Sequence, residues 1–260
     1  MTLGRVGIVG TGQIGTAIGC ALGASGAASE VVLHDRDDQA ARRSLARGAG
    51  RRSTSLDDAI ASDTVVLALP LAALVATLGG ARFRPGSLVI DTATVKRPVV
   101  RAMRALAPAV HAIGGHPVAG TERSGPEGAD PASLRGATFA LCPVRDDPVA
   151  LERARALAVA LGAVPIVLDA DEHDAAVAVT VVLPHLMARA LAALPASERL
   201  AGPGYRGATR LAAADPASVA EWAAATAGDV RPALRLLARQ LEDYEGLVAD
   251  EAALARRLGG

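Results

Sequence analysis

Apolar residues in this chain fall into two textures. Up to about residue 169, short runs rich in Val, Ile and Leu alternate with longer stretches whose apolar positions recur at helical spacing. That is how the βαβ units of a parallel sheet read. The predicted strands are RVGIVG, EVVLHD, DTVVLALP, SLVIDT, VHAIGG, ATFALCP and AVPIVLD, the last ending at Asp169. Beyond it Ala, Leu, Arg and Glu dominate as far as Gly260, interrupted at LPASERLAGPGYRG and AADPAS, a pattern that predicts helix almost throughout. The expected architecture is an α/β domain over residues 1–169 and an all-helical domain over 170–260. The final helix is predicted from about Asp229 to Arg257. It carries Leu234, Leu237, Leu241, Tyr244, Leu247 and Val248 as a stripe wide enough to need a partner surface, and a second subunit is the natural candidate.

Composition narrows the function classes. The 27 basic residues match the 27 acidic ones, so no net field draws the protein to nucleic acid or to an anionic membrane, and a small-molecule partner is expected. The uncharged run from Thr64 to Ala81 has the length of a membrane span, but Pro70 and Gly79-Gly80 interrupt it, and a buried strand followed by a helix is expected instead. Cys20 and Cys142 lack metal-ligand spacing and read as core residues of a reducing compartment. The first motif follows the N-terminus with no signal peptide before it, so the expected location is the cytoplasm. Aromatic residues make up only 2% of the chain, so the core is expected to pack from small aliphatic side chains.

The first chemistry lies in GIVGTGQIGTAIG. Gly10, Gly12 and Gly15 stand in G-x-G-x-x-G spacing directly after a strand and at the start of a helix. The first glycine permits a tight turn, the second lets a pyrophosphate approach the backbone, and the third lets helix and strand pack closely. Asp35 ends the next predicted strand, 20 residues past Gly15, where a carboxylate accepts hydrogen bonds from ribose hydroxyls. A Rossmann-type dinucleotide domain is therefore expected, with Gly10, Thr11, Gly12, Gln13, Ile14, Gly15, Asp35, Arg36, Leu69 and Pro70 around the cofactor. A carboxylate at Asp35 repels a 2′-phosphate and favours NAD, whereas Arg36 and Arg42 are residues able to hold such a phosphate.

Past the fifth predicted strand, GGHPVAGTERSG gathers a histidine, a glutamate and an arginine among glycines and a proline, on the side of the sheet where such folds bind ligands. With that segment the chain resembles the prephenate dehydrogenase family, including the arogenate and cyclohexadienyl dehydrogenases. Five blocks carry the resemblance in order: the glycine loop, DTATVK, GGHPVAGTERSG, DEHDAAVAVTVVLPH and GYRGATRLAAADPASVAEW. It implies a Rossmann-type domain followed by a helical dimerisation domain, a homodimer, and oxidative decarboxylation of a cyclohexadienol dicarboxylate with hydride transfer to NAD. It also implies that His116, in a rigid loop, accepts the proton of the ring hydroxyl, and that Arg210 clamps a carboxylate. His185 is implied as a second pocket histidine, with Thr121 and Glu122 beside the substrate. Thr94 stands where the family has serine and is expected to hydrogen-bond His116 or the substrate, whereas Lys96 either stabilises its loop or touches substrate.

Four positions depart from the family pattern. Val181 and Val182 replace a Ser-His pair, which suggests that a polar wall has become apolar. Gly207 stands where aspartate is frequent, and Asp229 lies near an expected asparagine. These differences direct attention to the substrate's side chain or 4-substituent, so arogenate and 4-amino-4-deoxyprephenate stand beside prephenate as candidate substrates. A dinucleotide-binding sensor or scaffold without catalysis is the alternative of another class. A proton acceptor and a carboxylate clamp argue against it.

Overall fold

The computed structural model describes residues 2–120 and 123–259. Strand β1 (Arg5–Val9) leads through the glycine turn into α1 (Gln13–Ser25). The chain continues through β2 (Glu30–His34), α2 (Asp38–Ala46), β3 (Arg52–Ser53), α3 (Leu56–Ile60), β4 (Thr64–Leu67), α4 (Leu71–Gly80), β5 (Leu88–Asp91), α5 (Arg97–Met103) and β6 (His111–Pro117). These six strands are parallel in the order β3-β2-β1-β4-β5-β6, so the winding reverses between β1 and β4. A doubly wound sheet binds its ligands in the crevice beyond the strand ends at that reversal.

The sheet is not parallel throughout, contrary to the reading of repeated βαβ units. Strand β7 (Thr138–Pro143) runs antiparallel to β6. After α6 (Pro148–Ala160), β8 (Val164–Val167) pairs in parallel with β7. Between β6 and β7 the described chain forms only short 3-10 turns at Pro126–Gly128 and Pro131–Leu134. No crossover helix carries it back across the sheet, so it returns in the opposite sense. Strand β3 was absent from the predicted set because its two residues, Arg52 and Ser53, are exposed and polar. Strand β6 runs two residues beyond VHAIGG, so His116 lies on a strand end and not in a loop.

Alternation along the strands fills two cores. Ile8, Val66, Ile90 and Ile113 face α1 and α6, whereas Val65, Leu67, Val89 and Ala112 face α3, α4 and α5. Both faces being covered explains why the strands read as unbroken apolar runs.

The helical half comprises α7 (Ala170–Val177), α8 (Leu183–Ala192), α9 (Pro203–Thr209), α10 (Pro216–Ala225), α11 (Ala227–Leu247) and α12 (Glu251–Leu258). A π turn at Ala178–Val182 joins α7 to α8. Pro184 has no N–H to offer the carbonyl of Thr180, and the hydrogen-bond ladder widens just before it. The predicted last helix is two helices, because the Asp250 carboxylate accepts from Ala253 N (2.9 Å) and starts α12 afresh. A third core of Val95, Val177, Ala178, Val182 and Val230 joins the two halves. Polar contacts reinforce it: Arg97 donates to Asp171 and Asp229, and Glu221 of α10 accepts from Leu71 N and Ala72 N at the start of α4.

Candidate active site

The glycine turn has the shape of an anion cradle. Gly10 adopts φ +97°, and a Cβ there would stand 2.2 Å from the carbonyl oxygen of Ala68, so only glycine fits. Gly12 opens α1, which has no side-chain cap, and a Cβ on Gly12 would meet nothing within 4 Å. A 13-residue helix thus begins without a side-chain cap and with room beside Gly12, an arrangement that suits a pyrophosphate. Gly15 packs against Gly10 in the first turn of α1.

Asp35 sits at the end of β2 with both oxygens engaged. Oδ2 accepts from Thr11 N (2.7 Å) and Thr11 Oγ1 (2.9 Å), and Oδ1 accepts from Asp37 N (2.9 Å). It therefore braces the glycine turn, a role its sequence position did not disclose. Arg36, the next residue, and Arg42 on α2 are both exposed.

Gly12, Gln13 and Ile14 line a cleft of about 340 Å³ between the two halves, together with Leu69, Pro70, Thr94, Arg123, Ser124, Asp215, Ser218 and Trp222. Its sheet side is the β1/β4 reversal. Its far wall is α10. A larger hollow of about 660 Å³ between α3 and α4 lies away from both the glycine turn and His116, and its charged lining residues are Asp57 and Arg82.

His116 lies at the end of β6, opposite Ala140 of β7, with 6% of its surface exposed. Gly115 makes this placement possible, since a Cβ there would approach the Asp91 carbonyl oxygen to 2.4 Å. Beneath it is a buried ionic knot. Lys96 Nζ donates to Asp91 Oδ2 and to Gly115 O (2.7 Å), while Asp91 accepts from Gly115 N (2.9 Å) and Ala93 N (2.8 Å). Lys96 and Asp91 are both fully enclosed. Lys96 therefore holds the loop and does not face the cleft. Burial, then the charge of Lys96, then His173 hold the His116 imidazole well below its usual pKa of 6.5, so it is neutral at neutral pH.

His116 Nδ1 lies 3.0 Å from His173 Nε2, and His173 Nδ1 lies 2.8 Å from Asp174 Oδ1. Asp169 caps α7 by accepting from Asp171 N and Glu172 N, which starts the helix so that His173 meets the end of β6 and Asp174 the start of α5. Asp174 also accepts from Lys96 N (2.6 Å) and Arg97 N (2.9 Å). Burial works against the Asp174 charge. The hydrogen bonds from His173, Arg97 and Lys96 outweigh it and keep the carboxyl below its ordinary range.

The expected partner of His116 is thus replaced. Thr94 lines the cleft but makes no hydrogen bond to His116, whose Nδ1 is committed to His173. His173 was read only as part of DEHDAAV; its signal is the His-Asp pair one turn after a helix-capping Asp. His185 is half-buried, with Nδ1 2.8 Å from the Val181 carbonyl oxygen and its ring edge-on to Trp222 of the cleft wall. Arg210 is exposed on the 3-10 turn Arg210–Ala213, just before cleft residues Ala214 and Asp215. Thr121 and Glu122 lie outside the described residues. Val182 is fully buried in the core between the halves, so it replaces no cleft wall. Around Gly207 the space is open, and Asp229 is engaged by Arg97.

The family models match in sequence order. The prephenate dehydrogenase nucleotide-binding domain matches residues 18–167, and the prephenate dehydrogenase dimerization domain matches residues 169–256. Among curated relatives, the probable prephenate dehydrogenase NovF of Streptomyces niveus is 35% identical over 95% of this chain and 71% of its own length. A cyclohexadienyl dehydrogenase of Zymomonas mobilis is 29% identical over 82% of this chain and 77% of its own. Of solved structures, a putative prephenate dehydrogenase from Corynebacterium glutamicum has TM-score 0.83 at 28% identity, covering 95% of this chain and 83% of its own. The prephenate dehydrogenase of A. aeolicus, solved with hydroxyphenyl propionate and NAD+, has TM-score 0.87 at 24% identity, covering 100% and 95%. With both domain models matched in order and a relative 35% identical over 95% of this chain's residues, the chain belongs to the prephenate dehydrogenase family.

Proposed function

We propose that the protein catalyses NAD-dependent oxidative decarboxylation of prephenate to 4-hydroxyphenylpyruvate, with His116 as the group that accepts the ring hydroxyl proton. The observation that carries this reading is a buried, neutral histidine held on a strand end of the same sheet whose first turn forms a cradle suited to a dinucleotide. NAD bound at Gly10, Gly12, Gly15 and Asp35, with Leu69 and Pro70 along its path, supplies the hydride acceptor. As hydride leaves the carbon bearing the hydroxyl, His116 takes the hydroxyl proton, and loss of the ring carboxylate as CO₂ completes aromatisation. What the chain supplies is orientation, a proton acceptor and cations for two carboxylates. Asp35 favours NAD over NADP because a 2′-phosphate would meet its charge.

Arg210 is the first carboxylate clamp of this reading, and Arg123 on the cleft lining is the second cation. Because a carboxylate contact exists before as well as during reaction, Arg210→Ala is expected to raise KM and cost about 2–4 kcal/mol in kcat/KM, with kcat changed less. Steady-state kinetics check this.

The same reading makes the protein a cytoplasmic homodimer assembled through its helical half. The stretch 170–192 has mean hydropathy 1.7 with only 22% of its apolar window buried, and Leu241 and Val248 are 56% and 72% exposed. A second copy covers such surface without a membrane. Sedimentation at micromolar concentration is expected to give a dimer. Free cysteines suit a reducing compartment, and burial pushes the Cys142 thiol up to about 12, which leaves it inert.

The test is a substrate panel: purified protein with NAD or NADP and each of prephenate, arogenate and 4-amino-4-deoxyprephenate, followed at the nicotinamide absorbance. Turnover of prephenate with NAD supports the reading. Preference for an aminated substrate would move it to a specialised relative of the same chemistry, and no turnover with any of them favours the sensor.

A further inference from the structure

Resting on the reading of His116 as proton acceptor, the geometry points to Asp174 and His173 as a positioning relay that fixes the tautomer of His116, leaving the Nε2 lone pair as its free, proton-accepting edge. The Asp174 carboxylate can only accept, so His173 Nδ1, 2.8 Å away, carries the hydrogen. That leaves Nε2 as the His173 ring atom facing His116, and in this relay it accepts. His116 Nδ1, 3.0 Å from that nitrogen, then carries the hydrogen of the second bond. Nε2 of His116 is left bearing the lone pair. It has no hydrogen-bond partner among the described residues, and it is not among the fully enclosed polar atoms.

Each member of the relay is held from outside. Asp174 is fixed by the N–H groups of Lys96 and Arg97 at the start of α5, and His173 by the capped first turn of α7. The two rings meet edge to face at 74° with centroids 5.2 Å apart, which orients the His116 ring as well as its proton. When His116 takes a proton at Nε2, its Nδ1–H still donates to His173, whose own N–H points at a carboxylate. The relay therefore serves the imidazolium without another group having to turn. Neither His173 nor Asp174 lines the cleft, and His173 reaches the site through its bond to His116, so they are positioning residues.

The test uses the full chain with ¹⁵N-labelled histidine and joins a spectroscopic readout to kinetics. In the unsubstituted protein at neutral pH, the His116 imidazole is expected as the Nδ1–H tautomer. In His173→Phe, which keeps the ring volume but removes the acceptor, it is expected to revert to the commoner Nε2–H form. Turnover in His173→Phe is expected to fall roughly 10- to 100-fold with KM little changed, less than removal of the general base itself. His173→Gln, whose amide oxygen can accept from His116 while its NH₂ donates to Asp174, is expected to recover most of that loss. An Nε2–H tautomer for His116 in the unsubstituted protein overturns the relay, whatever the variants do. Equal turnover in the Phe and Gln variants, both folded by circular dichroism, also overturns it. Failure of the parent reading looks different: His116→Asn would then turn over normally, although the tautomer signature could still be present.

Discussion

Replacing His116 with Asn is expected to lower turnover by roughly 10²- to 10⁴-fold while substrate and cofactor affinity stay nearly intact, the usual scale for removal of a general base. Asparagine is close to imidazole in size, and its side-chain nitrogen can still donate to His173, so the end of β6 keeps its pairing with β7. What is lost is a basic atom where the hydroxyl proton leaves. The pH profile carries the same signature. Since burial first and Lys96 second hold the imidazole below 6.5, the proton-accepting form persists under that pH, and the acid limb of kcat is expected below 6.5. Kinetics of the folded variant across pH check both points, and near-normal turnover in His116→Asn would end the assignment.

Lys96→Met is expected to be the most destabilising of the substitutions considered, by about 3–5 kcal/mol, because it leaves the Asp91 carboxylate enclosed without its cation. Asp91 would keep the N–H groups of Gly115 and Ala93, which support a carboxylate but do not neutralise it. The variant also frees the Gly115 carbonyl oxygen from its donor, directly beside His116. Removing the ammonium should make His116 more basic and move the acid limb of turnover upward, since Lys96 is one of the groups holding the imidazole neutral. Denaturant unfolding of the purified variant measures the first effect. A loss below about 1 kcal/mol, the scale of exposed ion pairs, would mean that this pair is not desolvated.

Much of this was legible in the sequence, for identifiable reasons. The glycine turn was readable because so tight a strand-turn-helix tolerates few residue types and its geometry is local, whereas the bracing of Thr11 by Asp35 depends on how β2 lies beside the turn. The boundary near Asp169 was marked by a change of texture where β8 ends and a capping aspartate starts α7. The reversal of β7 was hidden because ATFALCP has the same apolar pattern whichever way it runs, and the decisive feature is the lack of a crossover helix before it. His173 was hidden for a related reason. It lies 57 residues from His116, and only the docking of α7 on the end of β6 brings them together. Lys96 was left open between loop and substrate, and burial decides it. Val182 was misjudged because position beside a motif says nothing about which way a side chain faces across a π turn.

The central claim is that this site couples hydride removal to decarboxylation of a prephenate-type ring through His116. The most direct measurement follows NADH formation and CO₂ release together, with prephenate and NAD, for the unsubstituted protein and for His116→Asn. The account predicts one CO₂ for each NADH in the former, and both signals reduced in step by roughly 10²- to 10⁴-fold in the latter. NADH formation without CO₂, or parallel release undiminished in His116→Asn, would contradict it.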